Sequence, residues 1–245
     1  MNRYIPVTAE DRRRMLGVIG AASVDDLFSG IPVQVRQKKA SDLPKALSEP
    51  EMLRDLRALS GKNLNADDAI CFLGAGVYDH FIPSAVDSIV SRGEFTTSYT
   101  PYQPEVAQGT LQAIFQYQTM VCELTGMEIS NASMYDGASA AAEATVLAAS
   151  ATKKRTVLCG RNVHPQTRQT VRTYCWSRRL EYAELPAENG RIDRAALAKA
   201  LEGGDAAALI VQSPNFFGNL ENLQELGDAV HEAKGLFIVS SDLLA

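Results

Sequence analysis

The apolar positions of this chain fall into two rhythms. Up to about residue 95 they recur at helical spacing, punctuated by N-cap signals. Thr8 with Asp11, and Ser23 with Asp26, have that spacing; Ser48-Glu49-Pro50-Glu51 is a fuller capping box. The helix Ser48 opens is expected to reach about Leu59, with Gly61 as its stop. Ile31-Pro32-Val33 breaks the pattern. Cys71-Phe72-Leu73 reads as a brief strand ending in the turn Gly74-Ala75-Gly76, and Pro83 opens a short helix that Gly93 closes. A long helix is expected after Glu105, running to about Glu123, with Leu111, Ile114, Phe115 and Gln118 as its buried stripe and Gly126 as its stop.

Beyond it strand and helix alternate. Ile129–Tyr135 reads as a strand and Gly137–Ala151 as an Ala-rich helix. Thr156–Cys159 is a short strand, followed by a helix after Pro165. Ala207–Gln212 is a strand, about Leu223–Lys234 a helix, and Leu236–Val239 a final strand. That succession predicts an α/β fold, a parallel or mixed sheet covered by helices. Residues 1–95 form a mostly helical N-terminal segment and 96–245 the α/β part. The chain stops just after a core strand, so a sequence cut short is expected. An unpaired edge and poor solubility in isolation would follow.

Composition narrows the function classes. The 245 residues are 46% hydrophobic and 22% charged, as in soluble globular proteins. A net charge of −5 argues against a nucleic-acid footprint. Arg12-Arg13-Arg14, beside Glu10 and Asp11, reads as a solvated helix face. No apolar run approaches the roughly 20 residues of a membrane span, and Met1–Pro6 lacks the apolar core of a signal peptide. Cys71, Cys122, Cys159 and Cys175 have no zinc spacing, so no metal and a reduced, cytoplasmic compartment are expected.

The densest polar chemistry is Tyr99-Thr100-Pro101-Tyr102-Gln103-Pro104-Glu105. Its two prolines stiffen a string of phenols, an amide and a carboxylate, and Glu105 suits the N-terminal end of the helix behind it. It is either a presented site or a rigid cap. Four further clusters fall at the carboxyl ends of predicted strands, where open α/β sheets bind ligands. Asp136-Gly137-Ala138-Ser139 suits a phosphate cradle or an N-capped turn. His164, before Pro165, could stack on a flat ring or cap a helix. Asn215 could donate to a ligand or hold its own turn. Asp242 could hold a protonated ring nitrogen or cap a helix.

In that order the four clusters resemble the large domain of pyridoxal-phosphate enzymes of the aspartate aminotransferase fold, incomplete here at its C-terminus. Such enzymes need a Schiff-base lysine. In that family it lies on a later strand than the aspartate, and only Leu243, Leu244 and Ala245 follow Asp242. Lys153, Lys154, Lys199 and Lys234 sit at helix ends or surface-like positions.

The run Tyr99–Gly109 with Leu111-Gln112 narrows the resemblance, together with Tyr4-Ile5-Pro6-Val7-Thr8, Phe72–Gly76 and Asn131–Gly137. These are similar to the glycine dehydrogenase (decarboxylating) family, the P-protein of the glycine cleavage system, in the subunit 1 or α-chain form of two-subunit bacterial enzymes. The likeness runs over essentially the whole chain and covers the N-terminal portion of such a subunit.

The resemblance implies pyridoxal-phosphate-dependent decarboxylation of glycine, with the aminomethyl group passed to the lipoyl arm of the H-protein. It implies a heterotetramer in which glycine dehydrogenase subunit 2 carries the Schiff-base lysine. Tyr99, Tyr102, Gln103 and Glu105 would then serve a shared catalytic site. Gly137, Ala138, Ser139, His164, Asn215 and Asp242 would be either cofactor-binding residues or a vestigial copy of them. A non-catalytic scaffold subunit, or a truncated self-contained decarboxylase or aminotransferase, are the alternatives.

Overall fold

The computed structural model describes residues 4–37, 41–76, 78–96 and 99–244. Met1–Arg3 and Ala245, part of the polar N-terminus and of the chain end read above, lie outside them. Contacts divide the chain into two units, 1–68 and 69–245.

In the first unit, α1 (Ala9–Ile19) starts with the expected box. The Thr8 hydroxyl accepts from the Asp11 N–H at 3.1 Å, and the Asp11 carboxylate accepts from the Thr8 N–H at 3.0 Å. Ser23 and Asp26 pair in the same way and open a short 3₁₀ helix, Asp25–Phe28. In α2 (Glu49–Ser60), Glu51 accepts from the Ser48 N–H at 2.8 Å, and Gly61 ends the helix.

The second unit begins with irregular chain in which Phe72 and Leu73 are exposed, where a strand was expected. The short helices α3 (Ala85–Val90) and α4 (Gly93–Thr96) follow, so Gly93 begins a helix instead of closing one. A Cβ on Gly109 would lie 3.0 Å from the Glu94 side chain. That close packing joins α4 to α5 (Gln108–Thr125), and residues 69–95, read from sequence with the N-terminal segment, cluster with this unit.

The helix α5 starts at Gln108, slightly later than expected. The Thr100 carbonyl accepts from Gln103, and the Gln103 carbonyl accepts from Val106 and Ala107, so the two prolines sit in consecutive turns before the helix. Leu111, Ile114 and Gln118 are half-buried, but Phe115 is 64% exposed. Residues 129–135 form no strand either. A strand needs a ladder partner, and no described strand lies beside this segment.

After α6 (Gly137–Thr152) comes the sheet: β1 (Thr156–Gly160), β2 (Glu181–Leu185), the small hairpin β3 (Ala187–Glu188) and β4 (Arg191–Ile192), β5 (Ala206–Ser213) and β6 (Leu236–Ser241). The main sheet is parallel in the order β2-β1-β5-β6. The helices are α7 (Pro165–Arg178), α8 (Arg194–Glu202) and α9 (Leu223–Glu232). Alternate strand residues serve opposite faces. Val157, Cys159 and Ile210 pack with α6 and α7, whereas Leu158, Leu209 and Val211 pack with α8 and α9. Burial on both faces explains the continuous apolar runs of β1 and β5. The α/β class expected from sequence is the fold observed.

Candidate functional site

Parallel strands bring their carboxyl ends to one edge of the sheet. His164 follows β1, Asn215 follows β5 and Asp242 follows β6, on three adjacent strands. The helix α6 runs back along the sheet before β1, so its start, Gly137–Ser139, belongs to the same edge. The topology therefore assembles all four predicted clusters at one place.

Their side chains already have partners within the chain. The Asp136 carboxylate caps α6, accepting from the Ser139 N–H at 2.8 Å and from the Ser139 hydroxyl at 3.1 Å. The N–H and then the hydroxyl of Ser139 hold Asp136 below the usual carboxylate range. An anion approaching this helix start meets a fixed negative charge as well as the helix dipole. Gly137 is exposed and Ala138 half-buried, and space is open where a Cβ would project from Gly137.

His164 is the N-cap of α7. Its Nδ1 accepts from the Gln166 N–H at 3.2 Å, and its backbone N–H donates to the Gln212 side-chain oxygen at 2.8 Å. Phe216 meets its ring edge-on, with centroids 5.4 Å apart. Asn215 is fully buried. Its amide donates to the Gly190 carbonyl at 2.7 Å and to Glu221 at 3.0 Å, while its oxygen accepts from the Phe217 and Asn219 N–H groups. Asp242 faces His80, whose Nε2 lies 3.3 Å from Oδ2.

The Tyr99–Glu105 string behaves in the opposite way. Tyr99 is 89% and Tyr102 59% exposed; Gln103 and Glu105 are exposed too. Among the described residues none of these four side chains makes a hydrogen bond. Glu105 borders a shallow hollow with Glu94, Val106 and Gly109. A larger cleft of about 480 Å³ lies between Phe95, Thr110, Tyr117, Ser133, Met134 and Ala140. It joins α4 and α5 to the segment that leads into α6. No group of three or more metal-ligating side chains, and no helix long and apolar enough to cross a membrane, is present among the described residues.

Sequence reasoning missed His80, because nothing in Tyr78-Asp79-His80 marks it and its partner stands at the far end of the chain. It also missed Glu184, on which Arg161, Arg168 and Arg172 converge. The available signal was the i,i+4 spacing of Arg168 and Arg172, followed by the alternating strand Glu181–Leu185.

Comparison with known proteins follows the same lines. The family described as glycine cleavage system P-protein matches residues 2–245. A probable glycine dehydrogenase (decarboxylating) subunit 1 of Geobacillus thermodenitrificans is 53% identical over 245 residues, covering 100% of this chain and 54% of that protein. A crystal structure of glycine decarboxylase (P-protein) of the glycine cleavage system, in inhibitor-bound form, is similar with a TM-score of 0.84 and 45% identity, across 100% of this chain and 54% of that one. A sphingosine-1-phosphate lyase of Burkholderia pseudomallei shares the fold alone, with a TM-score of 0.60 and 14% identity over 85% of this chain and 51% of that one. The chain spans about half the length of the curated relatives it matches.

Proposed function

The chain belongs to the glycine cleavage system P-protein family, and on that footing we propose that it is part of the α subunit of glycine dehydrogenase (decarboxylating). In this reading it acts with a second subunit on glycine. Glycine loses its carboxyl group as carbon dioxide, and the aminomethyl group passes to the lipoyl arm of the H-protein. Pyridoxal phosphate belongs to the second subunit, which also supplies the Schiff-base lysine.

One contrast carries this reading. The residues of this chain that could hold the cofactor are taken up internally, whereas the side chains of Tyr99, Tyr102, Gln103 and Glu105 are exposed and make no hydrogen bond among the described residues. A resident pyridoxal phosphate would need the α6 start, Asn215 and Asp242 free. Asp136, Glu221 and His80 occupy those groups instead. They do not fit the cofactor, and the proposal routes no step through them. A rigid, polar, unpartnered loop suits a site completed by another subunit. There Tyr99 and Tyr102 would donate through their hydroxyls, Gln103 through its amide, and Glu105 would orient them.

The test is Tyr102→Ala in the full-length α chain reconstituted with its partner. Glycine-dependent carbon dioxide exchange is expected to fall about 100-fold with assembly intact, the scale on which lost positioning acts. Turnover per assembled complex equal to the parent would remove the loop from the site and leave a scaffold role.

A further inference from the structure

A cleft of about 560 Å³ opens beside the β3–β4 hairpin, lined by Arg161, Arg168, Pro186, Ala187, Gly190 and Phe217. The function proposed above makes no use of it. Its place in the fold is informative. From β1 the chain winds outward to β2, then returns to add β5 on the other side of β1. The order of the sheet reverses between β1 and β5, and open α/β sheets bind ligands in the crevice beyond such a point. Arg161 follows β1 directly, and Phe217 lies in the loop after β5.

The charges are unbalanced. Glu184 accepts from Arg168 Nη1 at 2.9 Å, from Arg172 Nη2 at 2.9 Å and from the Tyr182 hydroxyl at 3.0 Å. Arg161 Nε stands 3.6 Å away. One carboxylate therefore serves three guanidinium groups, leaving two positive charges uncompensated. A buried carboxylate nearby, Glu221, pairs with the Asn162 and Asn215 amides and the Ile192 N–H, and with no arginine among the described residues. Arg161 is 65% exposed, and its terminal nitrogens have no hydrogen-bond partner among the described residues. Arg168 uses Nε on the Val163 carbonyl and Nη1 on Glu184, so its Nη2 is also left over.

The opposite wall is held in place. The amides of Asn162, Asn215 and Asn219 all donate to the Gly190 carbonyl, which ties the hairpin to the loops after β1 and β5. Phe217 presents a ring that is 60% exposed, backed edge-on by Phe216. A wall fixed before binding keeps the ordering cost of a ligand low. Forked guanidinium donors match the two oxygens of a carboxylate or phosphoryl group.

We propose that this cleft binds a small organic oxyanion, a carboxylate or phosphoryl group on a flat apolar body. Arg161 and Arg168 take the charge and Phe217 the body. Glu184 is a positioning residue that aims Arg168.

The test is calorimetric titration of the full-length protein with phenyl phosphate, benzoate, inorganic phosphate and uncharged benzamide. At least one aromatic anion saturates one site per chain, whereas benzamide does not bind. Tighter binding of phenyl phosphate identifies the phosphoryl group, and tighter binding of benzoate the carboxylate. Arg161→Ala weakens the aromatic anion about tenfold or more, on the scale of a charge-assisted hydrogen bond. Phe217→Ala weakens the aromatic anion but leaves inorganic phosphate unchanged. Absence of saturable binding by both aromatic anions up to about 10 mM overturns the proposal. So does equal affinity in the Arg161→Ala protein, or binding of benzamide as tight as benzoate. None of these readouts depends on turnover, so the result is independent of the catalytic proposal.

Discussion

Cys159 and Cys175 sit together in the apolar layer under α6 and α7, and their burial decides their chemistry. Burial pushes the Cys159 thiol up to about 12, and it raises Cys175 as well. The thiolate is the reactive form, so both are inert in the folded chain. Iodoacetamide at about pH 8 is expected to modify exposed Cys71 and to reach Cys159 and Cys175 only after denaturation. Peptide mapping that finds Cys159 alkylated in the native protein would refute this. Glu184 shows the reverse balance. Burial pushes its carboxyl up, but the Tyr182 hydroxyl and the Arg168 and Arg172 guanidinium groups outweigh burial and hold it below the usual range. With the folded value below the unfolded one, its stabilisation is present above about pH 4.3 and lost as pH falls through the lower folded value. Glu184→Ala is expected to cost about 1–3 kcal/mol in urea unfolding near neutral pH, because it strands Arg168. It should also flatten the acid limb of the stability profile. An unchanged acid limb would mean that this cluster contributes no pH dependence.

Among the elements, the join between α9 and β6 leaves little room. A Cβ on Gly235 would lie 2.9 Å from the Ala206 carbonyl oxygen, a backbone atom that cannot rotate away. Gly235→Ala is expected to cost about 1–3 kcal/mol by overpacking, read as a lowered urea midpoint. A second expectation concerns α5, where Tyr117, Met120 and Leu124 form an exposed stripe at helical spacing. The isolated chain should self-associate through it, and Met120→Glu with Leu124→Glu should shift sedimentation towards monomer. The same helix shows where sequence reasoning reaches its limit. Its stop at Gly126 was legible because a left-handed φ of 70° favours glycine. Its start was not, because the turns after Pro101 and Pro104 depend on carbonyl bonds that no spacing rule specifies. The strands β1 and β5 were legible because burial on both faces writes unbroken apolar runs. β2 was hidden, since Tyr182 and Glu184 half-bury polar atoms among the arginines of α7. The four strand-end clusters could be read as points, and the N-capped turn at Asp136 with them, but not the partners His80 and Glu221 that engage Asp242 and Asn215, since folding alone sets those pairs.

At the scale of the molecule, the proposed division of labour makes a spectroscopic prediction. The α chain mixed with pyridoxal phosphate alone should develop no absorbance band of bound cofactor, whereas the α chain co-purified with its partner should carry one. A band in the α chain alone would place cofactor chemistry on this polypeptide. The unit that carries the sheet also has an unusual dependence on a single peptide group. Three asparagine amides from two separate loops converge on the Gly190 carbonyl, and Gly190 has a φ of 77° that suits only glycine comfortably. A side chain there would also collide with Asn219. Tilting that one carbonyl would loosen the hairpin and both loops together. Residue 190 is thus a single point of failure, where one methyl group would disorganise three stretches of chain that are far apart in sequence.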